Sequence, residues 1–337
     1  MADTRSDDSP IAPPRSLEEL KEETQARAES QRFPLGGKKP DDVREALARI
    51  NSLEPDDWSA AFSFIGDRYL DKARAEEAAD PRAACQGYGQ AWQYYWFARW
   101  PVCNSDGKRA AFEKGVDAFA RHARLHEPVL ELVRIPFGDT EIKGYLGLLG
   151  SDRPVPLVLR ISGLEGWREG AAHGGTVYLP HNIGFFALGM PGAGDSPIAC
   201  DVGSERLYSA VLDYLATRPE VDADRIVVQG SSWGGYWAAR LGFVEGDRLR
   251  GVVAQGGGAH YFFQPEWQRK GLGTREFLFD LFPARASIYR TETLDDFLAY
   301  GPRLSLLDSG LVDQPSAPML LINGELDSQV PIDDLLL

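Results

Sequence analysis

Apolar residues recur at three- and four-residue spacing from Asp41 to about Glu127. The spacing is clearest in DDVREALARI, DDWSAAFSFIGDRYLDKARAEEA, ACQGYGQAWQYYWFARW and GKRAAFEKGVDAFARHARL. Such a period places apolar side chains on one face of an α-helix, so it predicts an all-helical domain over residues 41–127. Residues 1–40 mix proline, glycine and charge. They predict a mobile tail without chemistry, with one short helix in SLEELKEETQARAES.

At Pro128 the period changes from that of helices to that of strands. VLELVRIPF and TEIKGYLGLL alternate as a hairpin, and VPLVLRISG is a continuous apolar run typical of a strand buried on both faces. Strands and helices then alternate, except for a helical, aromatic-rich insertion at about 259–316. The order predicts an α/β protein over residues 128–337, with a mostly parallel central sheet and helices on both faces.

Composition excludes several classes of function. The formal net charge of −14 weighs against nucleic acid and anionic membrane surfaces as partners, because both require a basic face. The N-terminus lacks a signal-peptide pattern and no apolar run approaches ~18 residues, so we expect a cytoplasmic protein that acts on a small molecule. The three cysteines lack metal-ligand spacing, and the glycine-rich segment GMPGAGDSP lacks a phosphate-binding lysine. No metal or cofactor is predicted.

One segment carries a chemical motif. Residues 230–234 read Gly-Ser-Ser-Trp-Gly, a G-x-S-x-G sequence that directly follows the apolar strand RIVVQ and opens an amphipathic helix. In a nucleophile elbow the serine occupies a sharp turn, so small residues must flank it. The register favours Ser232 over Ser231 as the nucleophile. The alternative is a tight strand–helix turn without chemistry.

An acyl-transfer serine also requires donors for the oxyanion. One is usually the backbone N–H after the nucleophile, here Trp233, and another comes from the loop after an earlier strand. ISGLEGWREG follows the strand VPLVLR, and Gly163 lets the backbone approach closely, so we predict the Leu164 N–H as the second donor. An ordinary glycine turn is the alternative for this loop.

A triad acid is expected after a late strand and before the histidine. Asp327 in INGELDSQVP lies just past the apolar run APMLLI and is favoured over its neighbour Glu325. A solvated turn carboxylate is the alternative for either residue.

The catalytic histidine is the difficulty, because none of the five histidines follows Asp327. One explanation is a truncated chain in which the C-terminal part of the core, including the histidine loop, is missing. The other is that His260, which follows the strand LRGVVAQGG, substitutes as the base; its alternative role is that of a pocket or packing residue. His122 and His126 lie on the last helix of the helical domain and are most simply solvated.

Together these segments resemble the α/β-hydrolases with an N-terminal helical lid domain. The family includes the FrsA-like esterases, 2,6-dihydropseudooxynicotine hydrolase and fungal polyketide-shortening hydrolases of the Ayg1 type. The resemblance rests on DDWSAAF, YGQAWQYYWFARWP, IPFGDTEIKGYLG, SGLEGWREG, MPGAGDSP, GSSWGGYWAARL and INGELDSQVP. It implies Ser232 as nucleophile, Asp327 as acid, a histidine some tens of residues later, and a site roofed by the helical domain.

The first hypothesis for function is therefore a serine hydrolase that forms an acyl-enzyme. The resemblance implies an ester, an amide or the C–C bond of a β-diketone as substrate, and a homodimer is a further expectation. A bulky or aromatic ligand would suit the aromatic residues, although core packing explains most of them; they are Trp92, Tyr94, Tyr95, Trp96, Phe262, Phe263 and Trp267. The alternative is a non-catalytic ligand-binding protein or truncated pseudo-hydrolase, because no histidine follows the acid.

Overall fold

Five α-helices form the N-terminal part of the protein, whose computed structural model describes residues 11–337. Proline at the first position starts three of them, where its missing N–H costs no hydrogen bond. Ser16 and Glu19 form a reciprocal capping box at the start of the first helix. The helical segments predicted between residues 41 and 127 are confirmed. The helices are α1 (Leu17–Glu29), α2 (Pro40–Leu47), α3 (Pro55–Glu76), α4 (Pro81–Ala98) and α5 (Asp106–Leu125).

The predicted mobile tail is wrong for residues 11–40, although the short helix predicted within it is confirmed as α1, and residues 1–10 lie outside the described part of the chain. Leu20, Ala28 and Leu35 are buried in a core cluster that also contains Trp58 and Phe97 of the helical part. The segment contains too few apolar residues to show a helical or strand period in the sequence. Each of these three residues nevertheless packs against an apolar surface that the following helices provide. Long-range packing, rather than local pattern, orders this segment.

A seven-stranded sheet follows the helices. Its strand order is β1-β2-β4-β3-β5-β6-β7. The β1–β2 and β2–β4 pairs are antiparallel and the other four pairs are parallel, which confirms the predicted hairpin and mostly parallel sheet. The strands are β1 (Leu130–Phe137), β2 (Thr140–Gly147), β3 (Val155–Ile161), β4 (Gly184–Leu188), β5 (Val221–Ser231), β6 (Gly251–Gln255) and β7 (Met319–Ile322).

Both faces of the sheet are covered. Alternate residues of β4 belong to different core clusters: Phe186 packs with α7 and α8, whereas Phe185 packs with α4, α5 and α6. The helical part therefore packs on the same face as α6. The remaining helices are α6 (Trp167–Gly175), α7 (Arg206–Ala216), α8 (Trp233–Val244), α9 (Pro265–Leu272), α10 (Leu281–Tyr289) and α11 (Leu294–Tyr300). Short 3-10 helices cover Thr176–His181, Gly246–Arg248, Tyr261–Phe263, Gly301–Leu304, Leu311–Asp313 and Ile332–Leu335.

The helical insertion predicted at about 259–316 corresponds to α9, α10 and α11 between β6 and β7. Leu278 of this insertion is buried in the core cluster of the N-terminal helices, and Phe279 packs against Trp58 and Trp100. The insertion thus joins the two parts of the molecule. At the sheet edge, Leu320, Leu321 and Ile322 of β7 are 56%, 41% and 43% exposed. No helix in residues 11–337 is long and apolar enough to cross a membrane.

Candidate active site

Ser232 is the single residue that connects strand β5 to helix α8. It is an exposed residue with φ 56° and ψ −126°, a conformation that non-glycine residues rarely adopt, and its N–H donates to Gln255 O at 2.7 Å. The flanking glycines are required by sterics. A Cβ on Gly230 would lie 1.9 Å from Gly234 O, and one on Gly234 would lie 2.4 Å from Ile161 O. The turn therefore presents the Ser232 hydroxyl to solvent, whereas Ser231 ends the strand half-buried.

The two predicted oxyanion donors belong to segments that meet at Ser232. Trp233 is the first residue of α8, so its N–H has no acceptor within the helix. Gly163 lies in the loop after β3, and a Cβ on it would be 3.2 Å from Ser232 Cβ and 3.7 Å from Ser232 Oγ. The backbone leading to Leu164 therefore passes directly beside the serine side chain.

Helix α4 holds this loop from the helical side. The Trp96 indole N–H donates to Glu165 O at 2.7 Å, and the Arg99 guanidinium donates to the same carbonyl. Glu165 is 8% exposed, and burial raises the pKa of its carboxyl group. The helical part of the chain thus fixes the position of the residues next to Ser232.

Asp327 lies in the loop after β7, and the structure brings this loop next to Ser232. Asp327 Oδ1 accepts hydrogen bonds from the N–H groups of Gln329 at 2.7 Å and Val330 at 3.1 Å. A Cβ on Gly256 would lie 3.9 Å from both Asp327 Oδ2 and Ser232 N. Asp327 is half-buried, whereas Glu325 is exposed. Of the two carboxylates, Asp327 is the less exposed, and its Oδ2 lies close to the same glycine as Ser232 N.

The structure does not bring His260 to Ser232. The Nδ1 atom of His260 lies 2.8 Å from Ser305 Oγ and 3.5 Å from Asp308 Oδ2, and the backbone N–H of His260 donates to Asp334 Oδ1 at 2.8 Å. Among residues 11–337 no hydrogen bond joins it to Ser232 or Asp327. These contacts tie the loop after β6 to the part of the insertion that follows α11 and to the 3-10 helix Ile332–Leu335.

The other histidines are distributed differently from the prediction. His122 of α5 is buried rather than solvated, because it packs against α4 with Nδ1 2.9 Å from Cys85 O. His126 is half-buried and His181 is exposed. His173, which the sequence patterns did not single out, lines a cavity next to the serine turn.

That cavity has a volume of about 640 Å³ and lies between the helical part and the sheet. It is lined by the loop between α1 and α2, by α4 and α6, and by the ends of β3 and β5. Gly163, Gly230 and Ser231 of the candidate site belong to its lining. Of the aromatic residues noted in the sequence, Trp92 and Trp96 line the cavity; Tyr94, Tyr95, Phe262 and Phe263 are buried in the core, and Trp267 packs at its edge.

Lys38 is a second cavity residue that the sequence patterns missed. It is 4% exposed and belongs to the segment predicted to be a mobile tail. Burial lowers the pKa of its ammonium group to about 7. Burial also lowers the pKa of His173, and nearby positive charge adds to that effect. Sequence patterns do not reveal that a single lysine or histidine is buried in a cavity lining, because the residues that surround it come from distant segments of the chain.

This strand order, with a serine turn between β5 and α8, defines an α/β-hydrolase fold. The protein superposes on the crystal structure of 2,6-dihydroxy-pseudo-oxynicotine hydrolase with a TM-score of 0.75 and 21% identity, covering 88% of this chain and 80% of that one. For AbyA5 the TM-score is 0.71 at 23% identity, covering 96% of this chain and 84% of that one. At these identities the likeness concerns the fold.

The family follows from sequence comparison. The family model described as "Esterase FrsA-like" matches residues 55–329, so the chain belongs to the FrsA-like esterase family. It is 30% identical over 226 residues to Esterase FrsA of Vibrio cholerae serotype O1, covering 65% of this chain and 53% of that protein. It is 28% identical over 244 residues to Esterase FrsA of Serratia proteamaculans, covering 66% and 59%. The chain thus spans about half the length of the curated relatives it matches.

Proposed function

We propose that this protein is a serine hydrolase that forms an acyl-enzyme on Ser232. The observation that carries the proposal is the strained conformation of Ser232, at φ 56° between two glycines that no larger residue could replace. Strain of this kind persists where the surroundings enforce it, and it is common at catalytic residues. Membership of the FrsA-like family supports the same class of reaction.

In the proposed mechanism Ser232 Oγ attacks the carbonyl carbon of the substrate while a histidine base takes its proton. The carbonyl π electrons move to oxygen, and the N–H groups of Trp233 and Leu164 donate to that oxyanion. Collapse of the tetrahedral intermediate expels the leaving group, which takes the proton from the histidine. Water then hydrolyses the acyl-enzyme by the same steps and releases the acid. Asp327 orients the histidine and stabilises its charged form.

In the family that the sequence resembles, the catalytic histidine follows the acid along the chain. Within residues 11–337 no histidine is hydrogen bonded to Ser232. We propose that His260 is a packing residue that holds the loop after β6 through Ser305 and Asp334, rather than the base. Hydrolysis by these 337 residues is therefore expected to be slow and to increase when a base is added.

The size and the lining of the cavity favour a bulky or aromatic substrate. The cavity, with a volume of about 640 Å³, is larger than a short acyl chain requires, and Trp92 and Trp96 contribute aromatic surfaces to the cavity lining. We propose an ester, an amide or a β-diketone as the reacting group; for a β-diketone the leaving group is an enolate, whose charge is delocalised. Residues 41–127 act in this proposal as a lid domain that excludes water until acyl transfer is complete.

The second candidate is a ligand-binding protein that keeps the cavity without catalysis. The observation that favours it is the absence of a hydrogen bond between Ser232 and any histidine of residues 11–337. In this case the cavity would bind its ligand tightly, and Ser232 would have no role in turnover.

The rate of hydrolysis of a 4-nitrophenyl ester tests the two candidates. We expect imidazole to raise the Ser232-dependent rate, but by less than the ~10²–10⁴-fold of a positioned general base, because free imidazole supplies the base without fixing its position. Ser232→Ala gives the background rate with imidazole, and Ser231→Ala is the matched control that should retain the parent rate. His260→Ala should also retain it.

Two outcomes would change this view. If the parent with imidazole is no faster than Ser232→Ala, the ligand-binding alternative holds. If the parent hydrolyses the ester without imidazole and His260→Ala abolishes this rate, His260 is the base.

A further inference from the structure

All titratable side chains in the cavity lining are those of basic residues. Lys38, Arg160 and His173 belong to the lining, and among the described residues that line it there is no Asp or Glu. This is unexpected for a chain with a formal net charge of −14 and 50 acidic residues. The distribution of charge within the cavity is therefore opposite to that of the protein as a whole.

Lys38 is held in this position by uncharged groups. Its Nζ atom donates a hydrogen bond to Pro34 O at 3.2 Å and lies 4.8 Å from the centroid of the Trp96 ring. Within residues 11–337 no carboxylate oxygen lies within 4.0 Å of it. A buried ammonium group without a carboxylate partner is costly, and it has two further N–H donors to offer. Its lowered pKa, about 7, has burial as its physical cause.

Arg160 and His173 extend the basic character along the cavity. Arg160 Nη1 donates to the side-chain oxygen of Gln229 at 3.0 Å, and in the described part of the chain it too has no carboxylate within 4.0 Å. The pKa of His173 is lowered first by burial and further by positive neighbours that include Arg160 and Lys38. The three groups therefore share one electrostatic environment, which an anion would stabilise.

We propose that the cavity beside Ser232 binds a substrate that carries a carboxylate group, with Lys38 as its charged partner. The aromatic rings of Trp92 and Trp96 contact the apolar part of the same molecule, and the reacting carbonyl faces the turn that bears Ser232. This substrate class rests on the proposed function at Ser232, but binding of the carboxylate does not require turnover.

Calorimetric titration of the 337-residue chain with 4-phenylbutyrate and with its uncharged amide, 4-phenylbutanamide, tests the proposal. We expect the carboxylate to bind at least about tenfold more tightly than the amide, because a charge-assisted hydrogen bond in a buried site is stronger than a neutral one. Lys38→Met should remove this preference, and Lys38→Arg should retain it. Lys39→Met is the matched control, because Lys39 is the exposed neighbour outside the cavity lining.

Three outcomes would overturn the inference: equal affinity of the parent for the two probes, no binding of the carboxylate in the millimolar range, or an equal loss of preference in Lys39→Met. Circular dichroism of each variant shows whether it is folded. If Lys38→Met does not fold, Lys38→Gln replaces it.

Ser232→Ala separates the two proposals, because its preference for the carboxylate should equal that of the parent. A carboxylate preference without Ser232-dependent hydrolysis would contradict the proposed function alone, and hydrolysis without the preference would contradict only this inference.

Discussion

Gly230 shows how one residue determines the geometry of the serine turn. A Cβ at this position would lie 1.9 Å from the backbone oxygen of Gly234, and the backbone cannot move away without opening the turn. We expect Gly230→Ala to lower the free energy of unfolding by at least about 3 kcal/mol, at the upper end of overpacking effects. Gly150→Ala is the control, because a Cβ on Gly150 meets nothing within 4 Å. Equal denaturant midpoints for the two variants would contradict this account of the turn.

His122 makes stability depend on pH. Burial lowers its pKa to about 4 in the folded protein, from an ordinary value of 6.5. Above pH 6.5 the imidazole is neutral in both states; between pH 6.5 and 4 only the unfolded state takes up the proton, so stability falls as pH decreases. The loss from this group is about 3 kcal/mol by pH 4.

Chemical denaturation between pH 7 and 4 measures this loss. His122→Gln should lose less stability than the parent over that range, because it cannot be protonated and keeps a donor for Cys85 O. His181→Gln, at an exposed position, should follow the parent curve. Parallel curves for the parent and His122→Gln would show that the buried histidine does not contribute.

The sequence predicts some residues of the site and misses others for a physical reason. Ser232 was predictable because strand, turn, glycines and helix all lie within one short segment. Asp327 followed from strand order, since the carboxyl ends of neighbouring parallel strands meet at one edge of a sheet. Lys38 and His173 were not predictable, because their surroundings are Trp96 and Trp92 of a distant helix.

At the scale of elements, the segment before α2 is part of the folded core. Leu35 is completely buried among the N-terminal helices, although its surroundings in sequence are polar and glycine-rich. We expect Leu35→Ala to lower the free energy of unfolding by about 2–4 kcal/mol, as for other buried leucines. Leu53→Ala is the control, because Leu53 is 51% exposed. A change within about 0.5 kcal/mol for Leu35→Ala, typical of surface sites, would restore the prediction of a mobile tail.

The elements themselves were largely predictable from periodicity. The helical spacing before Pro128 and the alternation after it correspond to α2–α5 and to the hairpin β1–β2. Periodicity did not predict that β7 would expose Leu320, Leu321 and Ile322, because a continuous apolar run suits a strand buried on both faces. A run of apolar residues in the sequence does not show whether another element of the fold covers the strand.

At the scale of the whole molecule, the helical part and the sheet form the candidate site together. Trp96 of α4 and Arg99, which follows the helix, hold the loop beside Ser232, and α4 also lines the cavity on that side. The fold class and the mostly parallel sheet could be inferred from the sequence, because they follow from local patterns and from short connections. The packing of the helices over the sheet could not, because it depends on contacts between segments far apart in the chain.

The central claim is that Ser232 is the nucleophile, and covalent labelling tests it most directly. The chain is incubated with a fluorophosphonate in the presence of imidazole and digested with trypsin, and the peptide of residues 226–240 is analysed by mass spectrometry. We expect one phosphonyl group on Ser232, none in Ser232→Ala and retained labelling in Ser231→Ala. An unlabelled parent peptide, or a label that persists on this peptide in Ser232→Ala, would contradict it.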